Sequence, residues 1–269
     1  MNDRTASTTL SDLDSGLIRA AHPDPDAPGG WRVDLAVQQA ILNLFANRET
    51  RTWDLGGAFQ FRDRVGLPLK DLLDSPEARE AAAAGKPWRV VPGGTSVRGG
   101  VYLAPGVTIM PPSYINVGAW IGEGTMVDSH VLVGSCAQIG SRVHLSAAVQ
   151  IGGVLEPAGR RPVIVEDEVF VGAKAALLEG VLVKSGVVIA AGVILTGTSR
   201  LYDLVKERVL VGTLEEPLVV PAGAVVAPGV RQAQGEFAER NGLGLSAAVV
   251  VKYRDERTDA RVALREALR

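Results

Sequence analysis

INVGAWIGEGTMVDSHVLVGSCAQIGSRVHLSAAVQIGG, residues 115–153, carries an aliphatic side chain at every sixth position: Ile115, Ile121, Val127, Val133, Ile139, Leu145 and Ile151. After a gap of fourteen the period resumes at Val165, Val171, Leu177, Val183, Ile189 and Leu195. Two more units are read upstream at Val101 and Val107, and two downstream at Val220 and Val226. A small or aliphatic residue follows most anchors by four (Ala119, Val131, Ala137, Val143, Val149), and Gly, Asn or Asp is favoured just after the anchor (Asn116, Gly122, Asp128, Gly134). A helix needs a period of about 3.6 and a half-buried strand a period of two. Period six instead describes a coil with flat sides, its anchors pointing inward and Gly or Asx easing its corners. Three sides make one turn of a triangular β-helix. Seventeen such units make nearly six turns, roughly 28 Å tall at the ~4.8 Å spacing of strands.

The breaks in the period predict loops. Gly153–Ile164 carries two residues beyond the period, Pro111-Pro112-Ser113-Tyr114 adds two more, and Thr196–Pro217 is a longer excursion. Four regions follow: a disordered tail at 1–11, a small helical N-terminal domain at 12–88, the β-helix at 89–230 with excursions near 153–164 and 196–217, and a C-terminal extension at 231–269. In the N-terminal domain, Asp34–Arg48 has one apolar helical stripe, and Ser75-Pro76-Glu77 opens a helix that Gly85 closes. This domain is expected to cap an open end of the β-helix. The extension offers a strand, Ala247–Tyr253, and a short helix, Thr258–Leu268.

Composition narrows the function classes. With 28 Lys and Arg against 30 Asp and Glu, the net charge of −2 gives no electrostatic case for nucleic acid or an anionic membrane. A single Cys excludes a disulfide framework and any cysteine-built metal site. The most apolar run, Val187–Leu195, falls short of the ~18 residues of a membrane span, and the first residues lack the apolar core of a signal peptide. A cytoplasmic globular protein is expected, with no metal.

The central motifs narrow it further. Met110-Pro-Pro-Ser-Tyr-Ile-Asn-Val-Gly-Ala119, Gly122-Glu-Gly-Thr-Met-Val-Asp128, Val133-Gly-Ser-Cys-Ala-Gln-Ile-Gly140, Val143-His-Leu-Ser146 and Ile151-Gly-Gly-Val-Leu-Glu-Pro157 closely resemble the tetrahydrodipicolinate N-succinyltransferases, a family of hexapeptide-repeat transferases. The resemblance is strong over residues 86–230 and loose over the N-terminal domain. It implies an all-β core built as a left-handed parallel β-helix, and a homotrimer with active sites between adjacent subunits. It also implies succinyl-CoA as co-substrate, no permanently bound cofactor, and a role in diaminopimelate and lysine synthesis. An acetyl-CoA-dependent transferase acting on the same or a related imine acid stays open, as does a non-catalytic assembly or regulatory β-helix.

The same resemblance supplies the site residues. Arg89 matches the substrate-binding arginine, and a guanidinium suits an acceptor with two carboxylates; by sequence alone it is a surface charge. Asp128 matches the substrate-contacting aspartate and is the candidate base; by spacing alone it is an Asx corner. Gly153 and Gly172 are sites where a donor could approach the backbone closely, or glycines that the turns require. Some relatives carry Gly-Ala-Arg-Ser-Glu where this chain has Gly172-Ala-Lys-Ala-Ala176, so Ala176 replaces a candidate catalytic carboxylate. Glu156 and Glu179 are weak substitutes, and Lys174 or Arg160-Arg161 are available to hold a succinyl carboxylate. His130 and His144 sit at outward repeat positions and are weak candidates for a base. Cys136 reads as a packed thiol.

Overall fold

The computed structural model describes residues 6–57, 59–155, 160–213 and 215–254. Two-residue strands stack in parallel on three faces, as the period of six requires. The first face runs from Tyr102–Leu103 through Trp120–Ile121, Gln138–Ile139, Ile164–Val165 and Leu182–Val183 to Val219–Val220. The second starts at Arg89–Val90 and climbs through Thr108–Ile109, Met126–Val127, His144–Leu145, Phe170–Val171 and Val188–Ile189 to the longer strand Ala224–Gln232. The third runs from Ser96–Val97 through Tyr114–Ile115, Leu132–Val133, Gln150–Ile151 and Ala176–Leu177 to Ile194–Leu195. In each pair the second residue points inward, and these residues with their partners four positions on form one continuous core.

The ladders correct the phase at both breaks. Upstream, the inward residues are Val97, Leu103 and Ile109, six apart and in step with Ile115; Val101 and Val107 fill the second inward slot. Pro111-Pro112-Ser113-Tyr114 therefore inserts nothing, and Ser113 takes that second slot, buried. Downstream, Gln138 pairs with Ile164, 26 positions on, against 18 for Trp120 and Gln138. The loop after Ile151 thus adds eight residues, not two. A gap of fourteen fits one side plus eight residues as well as two sides plus two, and only strand pairing separates them.

The corners also differ from expectation. Positive φ falls on the third residue after the anchor (Gly118, Gly124, His130, Cys136, Arg142, Ala148), not on the first. The glycines just after the anchor are needed because the next coil lies against them: a Cβ at Gly134 would sit 2.0 Å from the Gly153 amide nitrogen. Asx residues at that position do something local instead, since the Asn116 and Asp128 side chains each accept the amide N–H of the following residue.

The flanking segments are less helical than expected. The helices are α1 (Ala6–Asp14), α2 (Leu35–Ala46) and α3 (Pro76–Ala83), with Asp34 and Ser75 as N-caps. They alternate with two hairpins, Ala21–Pro23 with Trp31–Val33 and Thr50–Leu55 with Phe59–Arg64. Residues 6–11, expected in a disordered tail, form the start of α1, because Leu10 packs with Leu13 and Ile41. Rather than closing an end, α1 and α2 lie along the side, where Leu13, Val37, Ile41 and Leu44 meet Val117 and Cys136. The lower end is closed by Leu72 and Trp88, which pack on the core beside the first rungs. The upper end is closed by a hairpin within the 196–217 excursion, Arg200–Asp203 with Arg208–Val211, and by the strand Gly244–Tyr253. Leu201, Ala248 and Val250 bring these strands into the core. The expected helix at 258–268 lies outside the described residues.

Candidate active site

Strand register decides which candidate residues meet. Arg89 pairs with Thr108, Thr108 with Met126, Met126 with His144, and His144 with Phe170, so all five stand in one outward column of the second face. Asp128 follows Met126 by two and occupies the next column, at the corner between second and third faces. Ser146 and Gly172 stand above it, joined rung to rung by backbone hydrogen bonds. Arg89 and Asp128 are two rungs apart, about 10 Å between strand axes, a distance an extended arginine shortens. Arg89 is exposed and Asp128 half-buried.

Asp128 is held from behind. Its Oδ1 accepts the Ser129 amide N–H at 2.7 Å. Its backbone carbonyl lies 2.9 Å from the Ser113 hydroxyl, which also reaches Met110 O at 2.9 Å and accepts the Val131 amide N–H at 3.2 Å. One oxygen of the carboxylate is thus occupied locally, and Oδ2 has no partner among the described residues.

Gly153 stands elsewhere, at the corner between third and first faces. It lines a cavity of about 850 Å³ with Gly152, Arg161, Glu179, Thr198 and Pro217. Gly153 and Gly172 are each required by the coils themselves, since a Cβ on either would come within 2.5 Å of an amide nitrogen on the neighbouring coil.

The faces differ in what they leave open. The first is covered: the Arg19 guanidinium lies 4.1 Å from the Trp120 ring and 5.1 Å from that of Trp31, and burial pushes its pKa down to about 10. The third presents Ser96, Tyr114, Leu132, Gln150, Ala176 and Ile194 outward, a column without charge.

The repeat described as the hexapeptide repeat of succinyl-transferase matches residues 162–197. Protein TabB of Pseudomonas amygdali pv. tabaci is 43% identical over 117 residues, which are 44% of this chain and 39% of that protein. The chain therefore aligns with only about two fifths of that relative. The 2,3,4,5-tetrahydropyridine-2,6-dicarboxylate N-succinyltransferase of Granulibacter bethesdensis is 40% identical over 257 residues, 96% of this chain and 86% of the relative. The chain belongs to the tetrahydrodipicolinate N-succinyltransferase family. Among solved structures, a Campylobacter jejuni chain described as a 2,3,4,5-tetrahydropyridine-2-carboxylate N-succinyltransferase is 16% identical, with a TM-score of 0.47, covering 91% of this chain and 62% of that one.

Ala176, where the resemblance would allow a carboxylate, stands outward on the third face between Gln150 and Ile194. Glu179 is exposed three residues on, facing the cavity rather than that column; Glu156 lies outside the described residues. His130 is an exposed corner residue with φ 61°. His144 stacks on Phe170 at 5.2 Å and shares its column with Arg89, one rung above Met126. Cys136 is fully buried and burial pushes its thiol up to about 12, so it is a packed thiol and not a nucleophile. Two residues gained significance only from the fold. Ser113 was visible as part of a motif, without a role; the anchor phase, read correctly, turns it inward. Nothing in the sequence separates the enclosed Arg161 from Arg160. Among the described residues no helix is long and apolar enough to cross a membrane.

Proposed function

We propose that this chain transfers the succinyl group of succinyl-CoA to the amine of ring-opened tetrahydrodipicolinate, giving N-succinyl-2-amino-6-oxopimelate in the diaminopimelate and lysine pathway. The observation that carries this reading is 40% identity to a named succinyltransferase across 96% of the chain. Arg89 grips one acceptor carboxylate with its guanidinium fork. Asp128 Oδ2 receives the acceptor amine and takes its proton, because an ammonium has no lone pair with which to attack. The amine nitrogen then bonds to the thioester carbonyl carbon, the carbon–sulfur bond breaks, and coenzyme A leaves as the thiol after taking up a proton. The donor lies along the coils, passing the backbone at Gly172 and Gly153, and no cofactor is permanently bound.

In the same proposal the β-helix is left-handed and the enzyme is a cytoplasmic homotrimer with its sites between adjacent prisms. Supporting this, the N-terminal segment covers the first face and leaves the second and third outward columns for neighbours and substrates. A second reading, acetyl-CoA as donor, is favoured by the uncharged third-face column at Gln150, Ala176 and Ile194, which offers no cation to a succinyl carboxylate.

Thiol release with tetrahydrodipicolinate tests both readings when succinyl-CoA and acetyl-CoA are offered in parallel. Preference for succinyl-CoA supports the first, and shows that a carboxylate at position 176 is dispensable. Preference for acetyl-CoA supports the second. Silence with both refutes acyl transfer and leaves a non-catalytic subunit.

A further inference from the structure

Arginines with enclosed nitrogens are normally paired, and two half-buried ones in this chain show how. Arg98 holds Asp63, the Leu67 carbonyl and the Tyr114 hydroxyl; Arg19 donates to Gln138 and stacks on two indoles. Arg161 differs from both. Its Nε and Nη1 are buried with no hydrogen-bond partner, and its guanidinium forms no ion pair among the described residues. A guanidinium stays charged and carries five N–H donors, so enclosing it unpaired is costly. Burial lowers its pKa, opposed by the charge of Glu216.

The Arg161 backbone packs closely on the neighbouring coil, where a Cβ on Gly180 would come within 2.7 Å of its carbonyl oxygen, and Nη1 lies beside Gly29. Nη2 is the one guanidinium nitrogen outside the enclosure, and Arg161 lines the cavity of about 850 Å³. On the same wall the amides of Gly153, Gly180 and Gly197 make no hydrogen bond among the described residues. The acidic residues of the wall, Glu179 and Glu215, are both exposed, so water screens them, while Nε and Nη1 of the guanidinium are dehydrated.

We propose that Arg161 and this cavity form an oxyanion site that holds a carboxylate or phosphate of the acyl-CoA co-substrate. The inference rests on the acyl-transfer reading for the identity of the ligand. The shared chemistry is a planar or tetrahedral oxyanion gripped by a guanidinium and backbone N–H groups. Its two sources are the free carboxylate of the acyl group and the phosphates of coenzyme A.

The test uses the full chain and its Arg161→Met and Arg161→Lys variants, and reads binding without turnover. Calorimetry gives Kd for succinyl-CoA, acetyl-CoA and free coenzyme A; thermal shifts are recorded with succinate and inorganic phosphate. R161M is expected to weaken binding about ten- to a hundredfold, the loss of one charged hydrogen-bonded contact. R161K, which keeps the charge without the fork, should fall between. Equal weakening for all three coenzyme A compounds assigns the site to phosphate; weakening confined to succinyl-CoA assigns it to the acyl carboxylate. The ligand-free Tm of R161M should match or exceed that of the parent, because an unpaired charge is removed. Binding within twofold of the parent for every ligand overturns the proposal. So does a lower ligand-free Tm, which would mean that Arg161 has a structural partner. A protein that binds anions through Arg161 yet releases no thiol would sink the acyl-transfer reading alone.

Discussion

Replacing Ser113 with Ala should loosen the support of Asp128 without touching Asp128 itself. Ser113 is 6% exposed and points into the prism, where its hydroxyl is shared by Met110 O and Asp128 O and accepts the Val131 N–H. Val131 is 1% exposed and its amide makes no other hydrogen bond. S113A therefore leaves one buried donor without an acceptor and removes the single hydroxyl hydrogen that the two carbonyls share. An orphaned buried group costs about 1–3 kcal/mol, and the carbonyls are nearer solvent, so about 2 kcal/mol is expected in all. At about 2–4 °C per kcal/mol for a chain somewhat shorter than this one, Tm should fall by about 4–8 °C. Thr125 makes the matching bonds two coil sides later, to Gly140 O and from the Val143 N–H. T125A should thus cost a similar amount of stability while leaving acceptor binding alone. The discriminating assay is the acceptor KM: S113A should raise it about three- to tenfold, as the Asp128 backbone loses its anchor, and T125A should not. An S113A protein within about 1 °C of the parent, with unchanged KM, would refute the reasoning.

Arg89→Ala should raise the acceptor KM about 10–100-fold through loss of a charged hydrogen bond; an unchanged KM in steady-state kinetics would remove Arg89 from the site. Asp128→Asn should lower kcat about 100-fold if its carboxylate accepts the amine proton, whereas a change in KM alone would make it a ligand only. Glu166 gives a pH prediction. Burial by itself would raise its carboxyl, but the Lys184 ammonium, the Trp31 indole N–H and the Ser185 amide together hold it below its ordinary 4.5. A depressed carboxylate stabilises the fold above its unfolded pKa, and that contribution is lost as pH falls through the folded value. The urea midpoint of the parent should therefore exceed that of E166Q by a constant amount at neutral pH, and the gap should close below pH 4.5. A gap that persists unchanged to strongly acidic pH would show that the ion pair with Lys184 contributes nothing.

The three-faced coil was legible because its cause is local and repeated. Every sixth side chain must fill the same narrow interior, so the apolar period is the fold written out, and the ladders Trp120–Gln138 and Leu132–Gln150 follow from it. What the period left open was phase wherever a loop intervened, as at Val101, Val107 and the gap before Val165. It also gave the wrong reason for Asp128: the left-handed corner is at His130, so Asp128 is not placed by backbone strain, and its side chain is tied instead to the Ser129 amide. The likeness of the central motifs is what proposes Arg89 and Asp128 as site residues. That both stand beside one corner of the second face was decided by the strand register.

By itself, then, the amino-acid sequence determined the repeating core, the family motifs and the absence of a carboxylate at position 176. These are properties of residue type and spacing. Tertiary structure decided which corner each residue occupies and which polar groups lose water. Asp128 and Ser113 are 15 positions apart in sequence yet in hydrogen-bond contact. Arg160 and Arg161 are adjacent, and only Arg161 has nitrogens buried without a partner. Desolvation and pairing depend on what the other coils and the N-terminal loops bring alongside, and no local period records that.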